Sequence, residues 1–282
     1  MKKGFAKKRR VYGPWEILWM VILLGLAILI IYPMFWILMS SFKDYQGIYG
    51  DVWGFPDIWH IENYATAWNK GISQYFVNST IVTLVTLAGV VFVASFSAFG
   101  ICQLRGRLGN ALFLFCMCGI LLSPQVCLLP LFMLLKSLKI KNTLWAMILP
   151  YIAFRLPVSI MLIRSFFVGI SKELEEAATI DGATLMQIYR HIYLPLSKPI
   201  LSTVVIMTAY YAWNEFVFAT IFVDSSKLRT IPVGLMTFRD GLMTEWGVVL
   251  AGMVIACLPI VTLFIIMQKS FVRGMTAGAV KG

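Results

Sequence analysis

Two histidines, five cysteines and thirteen aspartates and glutamates among 282 residues are the side chains with which this chain could do chemistry. Hydrolysing a nucleotide would need a G-x-x-x-x-G-K-[ST] loop, whose backbone amides and lysine hold phosphates, and no such string occurs. The cysteines, Cys102, Cys116, Cys118, Cys127 and Cys257, all lie in apolar stretches, are odd in number and form no C-x-x-C pair, so they read as small buried hydrophobes. His60 and His191 are separated by three long apolar stretches and cannot build one metal or acid–base site. The chain is expected to be no enzyme and to bind no metal or cofactor of its own.

Two other groups of polar residues stand out. Arg155 lies near the middle of an apolar stretch, where an arginine costs about 2.5–3.5 kcal/mol on insertion scales, and Pro157 weakens the helix beside it. Arg155 must therefore face protein or water: it either lines a translocation path, or snorkels or binds a neighbour structurally. Trp213-Asn214-Glu215 sits in the outer half of another stretch and offers a stacking face with hydrogen-bonding groups. The second group is hydrophilic. It runs from Ser171-Lys172-Glu173-Leu174-Glu175-Glu176-Ala177-Ala178-Thr179-Ile180-Asp181-Gly182-Ala183 to His191-Ile192-Tyr193-Leu194-Pro195. Ser171 before an acidic first turn suits the exposed amides and positive pole of a helix start, and Gly182 can supply the bend that ends that helix. A second helical stretch, Thr184 to Tyr193, follows. Two short helices at an angle would form either a rigid handle for a partner or an interfacial amphipathic linker.

What positions these residues is a bilayer. The chain is 60% hydrophobic and only 13% charged, with a mean hydropathy of +0.82, far from a soluble domain. A helix needs about 20 mostly apolar residues to cross a core about 30 Å thick. Six stretches qualify: Ile17–Met39, Phe76–Cys102, Ala111–Leu135, Leu144–Phe167, Ile200–Val223 and Trp246–Met267. The first is too long for a cleavable signal peptide and lacks a small-residue cleavage site. An even count puts both termini on one side. The run Lys2, Lys3, Lys7, Lys8, Arg9 and Arg10 makes that side the cytoplasm, and explains much of the net charge of +11 without nucleic acid. In this topology fifteen cations lie inside and eight outside, with Arg155 in a span. The expected architecture is an all-α polytopic membrane protein. A basic N-terminus (1–16) precedes a six-helix domain (17–270, with the hydrophilic loop at about 171–195) and a tail (271–282). The long outer segment from Phe42 to Gln74 carries Asp44, Asp51, Asp57 and Glu62, and aromatic residues suited to a membrane–water interface.

Glu176-Ala177-Ala178, three residues, Gly182, nine residues, then Ile192-x-Leu194-Pro195 resembles the complete EAA loop of ABC importer permeases. Further similarity points to carbohydrate importers with a maltose-type (MalG-like) permease. It lies in Tyr32-Pro33-Met34-Phe35-Trp36, Ser41-Phe42-Lys43, Asn63-Tyr64, Phe76-Val77-Asn78-Ser79, Trp213-Asn214-Glu215-Phe216, Ile231-Pro232-Val233-Gly234-Leu235 and the tail from Gln268 to Gly282. Asn78-Ser79-Thr80 also fits a glycosylation sequon, which is discounted at the mouth of a span. Ser171 departs from the proline that many members place before the loop helix.

The resemblance implies a permease that moves a sugar or oligosaccharide by alternating access, coupled to separate ATPase subunits through the loop. Glu175, Glu176, Ala177, Ala178, Asp181, Gly182, Ile192, Leu194 and Pro195 would form the ATPase-coupling surface, and Gly274, Thr276, Gly278 and Lys281 a flexible tail contact with the ATPases. Arg155, Trp213, Asn214 and Glu215 would belong to the translocation path or a gate, with interhelical contact favoured over sugar recognition for the last three. ATP and Mg would bind on the partners: two ATPase subunits, joined in the assembly by a homologous second (MalF-like) permease and an extracytoplasmic sugar-binding protein. The alternatives are a permease for a non-sugar solute and an ion-coupled secondary transporter, though Glu215 is the one carboxylate well inside a span.

Overall fold

The computed structural model describes residues 13–104, 106–238 and 244–279, with side chains as far as residue 268. The basic N-terminal run, Arg105, Arg239 and Lys281 lie outside the described residues. The chain runs through α1 (Pro14–Ser40), α2 (Tyr45–Gly50), α3 (Glu62–Ala67), α4 (Ser73–Gln103), α5 (Arg107–Cys118), α6 (Leu128–Ser137), α7 (Trp145–Phe167), α8 (Lys172–Ile180), α9 (Leu185–Ile188), α10 (Leu194–Leu196), α11 (Lys198–Asn214), α12 (Val217–Phe222), α13 (Ile231–Met236) and α14 (Trp246–Ala279). The protein is an all-α, multi-pass membrane protein. Among the described residues, four helical segments are long and apolar enough to cross a bilayer: Pro14–Ser40, Glu62–Gln103, Trp145–Phe167 and Trp246–Gln268.

The two remaining stretches differ from the expected uninterrupted spans, and each difference has a local cause. In the third, α5 ends at Cys118, a tight turn covers Gly119–Leu121, and the helix resumes only at Leu128. Pro124 has no N–H to donate and disfavours helical geometry at Ser123, so the chain cannot wind through. At Gly119 a Cβ would stand 2.8 Å from Cγ of Pro157, so the break packs against the proline of α7. In the fifth, α11 stops at Asn214 because Glu215 is extended (φ −67°, ψ 126°). Its carboxylate accepts the N–H of Phe218 at 2.8 Å and of Ala219 at 3.1 Å, which starts α12. The entry to α11 is bent too, by 75° from the Leu185–Leu196 segment.

At the centre, α4 packs along α7 and α11, and α14 packs along α11. One buried cluster gathers Val82, Met147, Tyr151, Ala212, Phe218 and Phe222. A second gathers Val90, Ala94, Ile160, Ile163, Ile188, Tyr189, Tyr193 and Val204, and so carries the core of the spans into the hydrophilic loop. α1 meets the rest of the bundle through α14, and no residue of its apolar window is buried. The backbone of the tail, expected as a flexible strip, continues α14 as helix to Ala279. The side chains of Thr276 and its neighbours lie outside the described residues.

Candidate functional site

The loop folds as a capped helix–turn–helix in which every bend is explained by a local hydrogen bond. Ser171 is extended, and its hydroxyl accepts the N–H of Glu173 at 3.2 Å. Glu173 and Glu175 fill the first turn of α8, where carboxylates meet the positive end of the helix. The helix closes with Gly182 at φ +80°. Ala183 donates its N–H to the Ala178 carbonyl at 2.9 Å, and Gly182 donates to the Thr179 carbonyl at 3.0 Å. This double bond pattern needs a left-handed residue at the glycine. A Cβ there would meet nothing within 4 Å, so the requirement is conformational and not steric. Thr184 starts the next helix: its N–H donates to Gln187 Oε1 at 2.7 Å while its hydroxyl accepts the Gln187 N–H at 3.4 Å.

The second arm is anchored to the spans by two tyrosines one helical turn apart. Tyr189 OH lies 2.7 Å from Ser95 Oγ of α4, in a buried contact. Tyr193 OH donates to Glu175 Oε2 at 2.7 Å, and its ring packs edge-on to Phe99 and Phe167 with centroids 5.0 Å away in each case. Burial first, and the Glu175 hydrogen bond second, push the Tyr193 phenol well above its ordinary range, so it stays a donor. Glu175, placed by sequence on the coupling surface, turns inward to this tyrosine.

Glu176, Ala177, Asp181, Gly182 and Pro195 are exposed, and Ala178, Ile192 and Leu194 half-buried. Apolar side chains stand out among them, with Ile180 86% exposed and Leu185 and Met186 58% and 55%. A cleft of about 520 Å³ opens between the end of α4 and α8, lined by Gln103, Lys172, Glu175, Glu176 and Thr179. The loop thus presents an apolar knob edged with carboxylates on a rigid mount.

Within the spans, Arg155 and Glu215 come together only indirectly. The guanidinium carbon of Arg155 lies 5.2 Å from the ring centroid of Tyr211, and its Nε is buried without a hydrogen-bond partner. Tyr211 packs edge-on to Tyr151, whose hydroxyl donates to Glu215 Oε2 at 2.5 Å. Trp213 is buried, packs edge-on to Phe76 and donates its indole N–H to the Ala256 carbonyl of α14 at 2.9 Å. Asn214 is exposed and bonds back to the Tyr210 carbonyl. Trp213 and Glu215 therefore hold helices to one another. Asn78 is 4% exposed, and its amide donates to the carbonyls of Lys227 and Arg229 at 2.8 and 2.9 Å.

Sequence reasoning missed Tyr151, Tyr189, Tyr193, Tyr211 and Ser95. The available signal was the four-residue spacing of Tyr189 and Tyr193, which puts both on one helix face. Among the described residues no three His, Cys, Asp or Glu side chains gather as a metal site.

Residues 90–277, which include this loop, match the family described as binding-protein-dependent transport system inner membrane component. The chain is 50% identical to the probable ABC transporter permease protein YurM of Bacillus subtilis (strain 168), over 98% of this chain and 91% of the relative. It is 33% identical to the trehalose/maltose transport system permease protein MalG of Thermococcus litoralis, covering 91% and 94% of the two chains. Its fold is similar to that of a chain in the crystal structure of a bacterial ABC transporter involved in the import of the acidic polysaccharide alginate. The TM-score there is 0.80 at 20% identity, with 93% of this chain and 100% of that one covered.

Proposed function

The chain belongs to the binding-protein-dependent transport system inner membrane components, and from that premise we propose that it is the MalG-like permease subunit of an importer for a sugar or oligosaccharide. The observation that carries the reading is the helix–turn–helix of residues 171–195. A surface bearing Glu176, Asp181, Ile180 and Leu185 is fixed by Tyr189 to α4 and braced internally by Tyr193 and Glu175. Such a mount can pass a displacement to the spans because it has few soft joints of its own. In this reading Glu176 meets a basic group of an ATPase subunit, and Gly182 gives the bend between the two arms. Gly274, Thr276, Gly278 and Lys281 extend the contact with the ATPases.

The third and fifth stretches cross the membrane as broken helices, which makes six crossings with both termini cytoplasmic. Partners are a homologous MalF-like permease, two ATPase subunits that hold ATP and Mg, and an extracytoplasmic binding protein. Support for a sugar comes from the relatives: the Thermococcus protein is named for trehalose and maltose, and a Bacillus relative, 30% identical, for melibiose, raffinose and stachyose. Ion coupling through Glu215 is disfavoured by its hydrogen bonds to Tyr151, Phe218 and Ala219. Those bonds commit both carboxylate oxygens to partners within the protein and leave neither turned toward a passing ion. Trp213 and Glu215 act as interhelical contacts, and Arg155 faces the path between the two permeases.

The test is co-purification of the chain with its ATPase and second permease, followed by ATP hydrolysis with and without sugar-loaded binding protein. Stimulation by one sugar supports the reading. A complex that forms but responds only to a non-sugar solute moves the substrate class and leaves the coupling intact.

A further inference from the structure

The segment after α1 does not simply extend away from the membrane. Its turn folds back along the helix it has just left. Trp53 stacks on Tyr32 with centroids 5.9 Å apart, and Phe55 meets Phe35 edge-on at 6.4 Å. Two hydrogen bonds fix this placement: Trp36 Nε1 donates to the Val52 carbonyl at 2.8 Å, and Lys43 Nζ to the Asp51 carbonyl at 2.6 Å. The turn is closed by Gly54, which donates its N–H to Asp51 Oδ1 at 2.8 Å. A Cβ on Gly54 would fall 1.9 Å from the other carboxylate oxygen, so any larger residue there would displace the Asp51 side chain that closes the turn. Only a crevice of about 50 Å³ remains between the turn and α1.

Depth follows from helix geometry. With a rise of about 1.5 Å per residue, Phe35 lies about 8 Å and Tyr32 about 12 Å inward from Ser40. α1 has 27 residues, so it is about 40 Å long and exceeds a core of about 30 Å by about 5 Å at each end. Phe55 and Trp53, seated beside those rings, therefore reach the boundary between headgroups and acyl chains. Each contacts an α1 ring on one side and is still about 70% exposed, at 71% for Trp53 and 70% for Phe55. Ile58 is 68% exposed, while the Trp59 ring packs against Phe42, past the end of α1, with centroids 5.1 Å apart. The charges are arranged to suit. Lys43 is only 3% exposed, and Asp57 remains exposed, which stops the segment at the interface because a carboxylate resists the core.

We propose that residues 51–59 form an interfacial anchor that inserts Trp53 and Phe55 into the lipid leaflet at the C-terminal end of α1. The occupant of this apolar face is the zone between lipid headgroups and acyl chains, where amphipathic indole rings are favoured. The anchor holds the outer segment at a fixed depth against the first span.

The assembled transporter in nanodiscs provides the test. A nitroxide is placed at Phe55→Cys in a chain whose five cysteines are replaced, and its relaxation is read with oxygen, which enters lipid, and with a water-soluble nickel chelate. The expected result is strong oxygen accessibility with protection from nickel. Strong nickel accessibility would show the turn in water, and exclusion of both probes would show it covered by a protein partner; either overturns the proposal. Independently, brominated acyl chains should quench tryptophan fluorescence of the wild-type assembly more than that of Trp53→Phe, and equal quenching counts against the anchor.

Discussion

Replacing Tyr193 by phenylalanine removes one atom from the mount of the loop and leaves its packing in place. The ring keeps its edge-on contacts with Phe99 and Phe167, and only the hydrogen bond to Glu175 is lost. A hydrogen bond to a charged acceptor contributes about 1.5–3 kcal/mol. Because Glu175 is half-exposed, water can reach it and take over part of the bond, which points to about 1.5 kcal/mol. That is about tenfold in the balance between a braced and a loosened loop. Tyr193→Ala also leaves a cavity between α4 and α7 and should cost about 3–5 kcal/mol. The assay is sugar imported per ATP hydrolysed in proteoliposomes at matched ATPase content, together with thermal unfolding of the solubilised complex. Tyr193→Phe should lower the ratio with a modest loss of thermal stability, and Tyr193→Ala should lower both strongly. The phenol is pushed up by burial and by Glu175, so its contribution is present below the ordinary tyrosine range near about 10 and is lost only as pH climbs above it. Coupling through this bond should therefore be flat from neutral pH to about 9. Wild-type coupling and stability in Tyr193→Phe, or a Tyr193→Ala chain no worse than Tyr193→Phe, would refute the reasoning.

Three other substitutions separate backbone, clamp and path. Gly182→Val should cost about 1–2 kcal/mol through left-handed strain alone, with Gly182→Asn milder, as read by ATPase retention on membranes; equal retention in both and in wild type would remove the bend from the account. Glu215→Gln offers one acceptor oxygen where two now serve Tyr151, Phe218 and Ala219, so a buried donor is left unpaired at about 1–3 kcal/mol. Its thermal midpoint should fall whether or not sugar is bound, whereas a loss confined to sugar affinity would reassign Glu215 to recognition. Arg155→Met gives up a cation–π contact of about 0.5–2 kcal/mol but also relieves a half-buried charge, so the complex should assemble normally while uptake falls. Wild-type uptake would take Arg155 off the path.

The hydrophilic loop was legible because its determinants are local. Ser171, Gly182 and the Thr184–Gln187 pair each act within a few residues, and their types announce a cap, a left-handed stop and a second cap. The four unbroken spans were equally legible from length and hydropathy. The breaks were not, because a window of about 20 residues averages a proline or one carboxylate into an apolar background. Ser123-Pro124 and Glu215 nevertheless mark where the helices stop. Glu175 was assigned to the outer surface by its neighbours in sequence, but the angle between the two loop arms brings Tyr193 over it, and that angle is set by packing against Phe99 and Phe167. Trp213 was read as an interhelical contact rather than a sugar platform, but its partner, the Ala256 carbonyl of α14, lies 43 residues away and could not be named from sequence.

The claim that this permease is driven by ATP through residues 171–195 is tested most directly at Glu176. Proteoliposomes carrying the full assembly, with ATP inside and binding protein and labelled sugar outside, are compared for wild type and Glu176→Ala at equal permease content. Truncating one partner of a charge pair that is desolvated in an interface costs about 2–5 kcal/mol. The substitution should therefore strip most of the ATPase from the membrane and abolish ATP-dependent uptake, and a compensating change in the ATPase should restore both. Full ATPase retention with full uptake in Glu176→Ala, or wild-type uptake that proceeds without ATP on an ion gradient, would contradict the account.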